Sequence, residues 1–90
     1  MKLQVHAYGV QVVAQARDAD EALRGFKTAI ISGAPKWTRP MMGQMDALTI
    51  AREAVKRDNA AQGCAEPLPS SAQEFLDWAL RRGYISLLEE

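Results

Sequence analysis

Leu3, Val5 and Ala7 alternate with Lys2, Gln4 and His6, the period of two required of a strand buried on one face. Val10, Val12 and Ala14 continue the alternation after Tyr8-Gly9, but out of step with the first set. Pairing Ala7 with Val10, Val5 with Val12 and Leu3 with Ala14 across a hairpin puts all of these residues on one face. A hairpin is therefore the economical reading. Tyr is a poor first residue for a type I′ turn, which points to a longer or bulged loop at Tyr8.

The period then changes to that of helices. Asp18 and Glu21 form a capping box, and Ala19, Ala22, Leu23, Phe26, Ala29 and Ile30 keep the spacing of one buried helical face, with Arg24 and Lys27 toward water and Gly33 as a left-handed stop. Pro35 and Pro40 bracket a connector over residues 34–39. A second helix is expected from about residue 41 or 44 to residue 59. Its apolar arc is Ala47, Leu48, Ile50, Ala51, Ala54 and Val55, and Glu53 is spaced to pair with Arg57 on the charged side. Gly63 ends it, and a loop punctuated by Pro67 and Pro69 follows.

Two overlapping capping boxes, Ser70 with Gln73 and Ser71 with Glu74, open a third helix. Its expected buried stripe is Ala72, Phe75, Leu76, Ala79 and Leu80, with Trp78 on the flank and Gly83 closing it. Tyr84-Ile85-Ser86-Leu87-Leu88 reads as a strand able to pair with the hairpin. The predicted fold class is α+β in the order β-β-α-α-α-β: an N-terminal β-hairpin, three helices and a short C-terminal strand, with the small sheet packed against the helices.

Length and composition narrow the functional classes. Ninety residues make one domain, residues 1–90. Hydrophobic residues are 48% of the chain, but many are alanines, so the core is thin and the fold stands to gain from a partner surface. Eleven basic and eleven acidic residues cancel, which argues against a polyanion-coating protein and makes any nucleic-acid contact local. One cysteine and one histidine supply neither an internal disulfide nor a Cys/His zinc site, so neither a metal nor a cofactor is expected. Residues 1–16 carry no unbroken apolar run of the kind a signal peptide or a membrane span needs, and the expected location is cytoplasmic.

The charge that cancels overall is unevenly placed. Between Glu21 and Asp46 there is no acidic residue, whereas Arg24, Lys27, Lys36 and Arg39 all fall there. Trp37 lies between two of these cations in a proline-bounded connector, and Met41, Met42 and Met45 follow. A rigid indole flanked by cations and flexible thioethers suits a contact surface, and Arg24, Lys27, Lys36, Trp37, Arg39, Met41 and Met42 are the candidate partner-binding residues. The opposing expectation is that Trp37 folds inward to plug the thin core and the methionines begin the buried face of the second helix. If the segment is a contact surface, an acidic protein surface is the first candidate partner. A nucleic acid, with Lys36 and Arg39 on phosphates and Trp37 stacked on a base, is the second.

The end of the third helix followed by Gly83-Tyr84-Ile85-Ser86-Leu87-Leu88 resembles the close of winged-helix domains, where a helix gives way at Gly to a wing strand. That resemblance implies base reading from the start of the helix, where this chain offers Ser71, Gln73, Glu74 and Asp77 instead of cations. Arg81 and Arg82 lie at its far end, where they complement the helix dipole. Nothing in the spacing brings Cys64 and His6 together as nucleophile and base, and phosphate loops, nucleophile elbows and HExxH helices are absent from the sequence. The expectation is a non-enzymatic binding or regulatory protein, of adaptor or inhibitor type, that occupies a partner protein's surface. Self-association through a helix face or the outer hairpin edge is compatible with it.

Overall fold

The computed structural model describes residues 1–7 and 9–89, with the side chain of Ala7 left aside. Strands β1 (Lys2–Ala7) and β2 (Val10–Gln15) form the expected hairpin, with Ala7 opposite Val10, Val5 opposite Val12 and Leu3 opposite Ala14. The turn's left-handed position is Gly9, with φ 79°, and the expectation about Tyr8 lies outside the described residues. Strand β3 (Ile85–Glu89) lies antiparallel to β1, so the sheet order is β2-β1-β3 with the first strand in the middle. A bulge between Lys2 and Leu3 disturbs the β1–β3 register. The architecture is the α+β sheet-on-helices arrangement read from the sequence.

Helix α1 (Ala19–Gly33) starts at Asp18, whose carboxylate accepts the Glu21 amide at 2.9 Å. Its end differs from expectation. Gly33 stays helical, and the chain leaves the helix at Ala34 in an extended conformation (φ −84°, ψ 155°). Proline at position 35 is the physical reason, because the residue before a proline is driven out of the helical region.

The connector is also more structured than expected. Lys36–Thr38 form a 3-10 turn, and helix α2 (Arg39–Gln44) follows with Pro40 in its first turn, where a missing amide costs nothing. The second predicted helix is thus divided. Helix α3 (Ala47–Gln62) restarts at Asp46, whose carboxylate accepts the Leu48 amide at 3.1 Å, and it ends on Gly63 in the left-handed region. Helix α4 (Ala72–Arg82) chooses between its two capping boxes. Ser71 is the cap, accepting the Glu74 amide at 3.2 Å, while Glu74 reaches back to the Ser70 amide at 2.8 Å and to the Ser70 hydroxyl.

The core lies between the inner face of the sheet (Leu3, Val5, Ile85) and helices α1, α3 and α4. Phe26 of α1 and Phe75 of α4 meet at its centre, fully buried, with ring centroids 4.6 Å apart. Alanines 29, 51, 54 and 79 fill the helix contacts, so the alanine-rich composition appears as close helix packing. In α4 the stripe is rotated from expectation: Trp78 is buried at 3% exposure and Leu80 is 39% exposed. The indole is drawn inward by a 5.1 Å stack on Tyr84 and a hydrogen bond from Nε1 to Glu66. Among the described residues no helix is long and apolar enough to cross a membrane.

Candidate functional site

The cation-rich stretch forms an elbow that carries the chain from α1 to α3. Its first brace is local: the Thr38 amide and hydroxyl both donate to the Pro35 carbonyl, at 3.0 and 2.7 Å. Its second comes from Arg39, which donates to the carbonyls of Ala34 (3.1 Å) and Ser32 (3.0 Å). The last turn of α1 has no basic residue of its own, so Arg39 supplies the positive charge that orphan carbonyls at a helix C-terminus favour. Lys27 does the same for α2, donating to the carbonyls of Gly43 (3.2 Å) and Met45 (2.6 Å).

These clamps fix a turn whose most prominent side chain points away from the protein. Trp37 is 79% exposed and Met41 61% exposed, which overturns the expectation that the indole plugs the core; Trp78 takes that buried place. Beside the turn lies a groove of about 400 Å³ between the end of α1, α2 and α3. Ile30, Pro35, Met41, Met42, Met45 and Ile50 supply much of its apolar wall, and the exposed Glu53 and Arg57 also line it. Glu53 pairs with Lys56 at 3.2 Å instead of with Arg57 as the spacing suggested.

The seven sequence-derived residues therefore separate by role. Lys36, Trp37 and Met41 are exposed together on the elbow, and Arg24 is exposed on α1. Lys27 and Arg39 are half-buried braces, and Met42 packs against the core. The remaining reactive side chains lie elsewhere. His6 sits opposite Gln11 on the hairpin, whereas Cys64 is exposed after α3 with its thiol 3.4 Å from the Asn59 amide oxygen. Among the described residues no group of three His, Cys, Asp or Glu side chains is placed to hold a metal ion.

One polar cluster was missed from the sequence. Asp58, 6% exposed, accepts from Arg82 Nε (3.1 Å) and Nη2 (2.9 Å) through one carboxylate oxygen and from the Tyr84 hydroxyl (3.0 Å) through the other. Glu66 takes Trp78 Nε1 at 3.3 Å and Arg81 at 2.9 Å. Both arginines at the end of α4 are thus engaged with carboxylates, a tighter role than dipole complementation alone. The available signal was Asp58 itself, which continues the Ala51, Ala54, Val55 spacing onto the buried face of α3.

The perturbed titrations belong to helix starts. The Glu21 carboxyl is held below the ordinary glutamate range by the Arg17 amide and then by the Arg17 guanidinium. Glu74 is held down by the Ser70 hydroxyl and amide, and the Arg17 guanidinium is pushed up by its contact with Glu21. None of these groups lines the elbow groove. Compared with models of protein families, with curated proteins and with solved structures, the chain matches none of them.

Proposed function

We propose that this chain is a small protein-binding module, of adaptor or inhibitor type, that works by occupying a partner protein's surface and makes no bond of its own. The observation that carries this reading is the 79% exposure of Trp37 on a turn braced from two sides. An indole carried on a braced backbone sacrifices little main-chain freedom when a partner covers it, and its side chain has only two torsions to fix, which suits a contact anchor. Met41 extends the apolar contact, and Lys36 sets a cation at its margin, so the complementary partner is a protein surface with an apolar recess edged by carboxylates. With Lys27 and Arg39 committed to backbone carbonyls, Lys36 and Arg24 remain for phosphates, which weakens the nucleic-acid alternative.

The test compares wild type with Trp37→Ala as baits in native cell extract treated with nuclease, followed by titration of the captured protein. The expected result is a protein partner whose dissociation constant rises roughly 30-fold in Trp37→Ala, the equivalent of about 2 kcal/mol, with weak dependence on salt. Thermal stability should be unchanged, because the indole is exposed. Capture that nuclease abolishes, or affinity that falls steeply between about 50 and about 200 mM salt, would instead select the nucleic-acid reading. A partner indifferent to Trp37→Ala would remove both.

A further inference from the structure

Strand β2 is one edge of the three-stranded sheet. The reciprocal bonds between Met1 and Ala16, 2.8 and 2.9 Å, make that a hydrogen-bonded pair. Antiparallel alternation then directs the backbone groups of Val10, Val12 and Ala14 toward β1 and those of Gln11, Val13 and Gln15 outward. On the other side of the sheet the His6 amide bonds the Tyr84 carbonyl at 2.7 Å, as the same alternation requires.

Edge strands normally carry a charge, a proline or a bulge that discourages further pairing. The β3 edge has both a bulge and Glu89, but Val10-Gln11-Val12-Val13-Ala14-Gln15 has no charge, no proline and continuous register with β1. On the open face of the sheet, Val13 is 53% exposed between two glutamines.

From this we infer that the chain forms a symmetric dimer by antiparallel pairing of β2 with β2 of a second copy, centred on Val13. In that register Val13 faces Val13, Gln11 faces Gln15 and Val12 faces Ala14 across a two-fold axis perpendicular to the sheet. Every outward donor and acceptor of Gln11, Val13 and Gln15 is used, about six hydrogen bonds in all. Residues of like parity meet, so both copies keep their helices on the same side and the sheet continues through six strands. Slipping the register by two residues loses a pair of these bonds and sets each Val13 against a glutamine, while slipping by one reverses the faces. The formal net charge of zero offers no long-range repulsion between copies. Such a contact is small, so the dimer is a dissociating one, populated at micromolar and higher concentration.

Analytical ultracentrifugation from about 1 to about 500 µM tests it, with the wild type expected to approach twice the 9.9 kDa of one chain. Val13→Lys puts like charges face to face across the axis and should raise the dissociation constant at least about tenfold. Val13→Pro removes an outward amide that β1 does not use and should act likewise. Leu88→Lys on the opposite edge and Trp37→Ala on the elbow should leave the dimer intact, which keeps this outcome separate from the partner-binding reading. Should the β2 variants fail to fold, Val13→Cys in a Cys64→Ser background decides: a pair about 5.5 Å apart at Cα lies within disulfide reach, so oxidation should give a covalent dimer. A wild type that stays monomeric throughout, a dimer that survives Val13→Lys, or a Val13→Cys protein that does not cross-link would overturn the inference.

Discussion

Replacing Asp58 by Ala should cost the domain about 3 kcal/mol of stability, a value that follows from what the carboxylate touches. Its side chain is 5% exposed and takes three donors, two nitrogens of Arg82 and the Tyr84 hydroxyl. Hydrogen bonds to a charged group contribute about 1.5 to 3 kcal/mol each, so their simple sum would approach the whole stability of a domain this size, about 5 to 13 kcal/mol. The sum overstates the loss, because Arg82 is 31% exposed and its guanidinium can turn to water when the partner disappears. Removing one member of a buried pair typically costs about 3 to 5 kcal/mol, and the solvent access of Arg82 places this case at the lower end. For this chain length the midpoint of thermal unfolding should fall by about 12 to 24 °C. Circular dichroism melts and urea titrations at neutral pH measure it. The double change Asp58→Leu with Arg82→Met should recover most of the loss, because apolar groups of similar volume leave no buried charge uncompensated. A single-variant loss below about 1 kcal/mol would refute the idea that this carboxylate ties α3 to α4 and β3.

Arg39→Ala should destabilise the protein by about 1 kcal/mol through the uncapped carbonyls of Ser32 and Ala34, and amide exchange at Thr38 should quicken as the elbow loosens. Acid should weaken the fold through Glu21 and Glu74, whose folded pKa values lie below the ordinary glutamate range. Their stabilisation is whole above that range and is lost as the pH falls through it toward the lowered folded values, so urea midpoints measured from about pH 6 to about pH 3 should decline less steeply in Glu21→Gln and Glu74→Gln.

What could be read along the chain was whatever local pattern decides. The hairpin register followed from alternation alone, because a slip of one residue would have turned Leu3 and Val5 into water. The starts of α1 and α4 were legible in Asp18 and Ser71, and the buried face of α3 in its apolar arc, since caps and stripes act within a few residues. The break at Asp46 was harder to see: the methionines before it continue an apolar trend, and the division depends on Lys27, far away in sequence, holding the end of α2. Trp78 and Leu80 exchanged roles for the same reason, since the partners that draw the indole in, Tyr84 and Glu66, lie outside the helix. At the elbow, composition identified the cation-and-indole cluster but could not separate Lys36 from Arg39. That distinction depends on which side chain reaches back to the carbonyls of α1.

Because Lys2–Ala7 is flanked by the strand that follows at once and by one that comes last, Val5 and its partner Ile85 lie about 80 residues apart in sequence. Closing so long a loop carries an entropic cost near 4 kcal/mol, a large share of what a domain this size has in reserve. On a ribosome adding about 5 to 20 residues each second, the hairpin waits several seconds with one flank of its first strand bare. Completion of the sheet is thereby postponed until synthesis has passed Glu89, so the central strand is the last to gain its second neighbour.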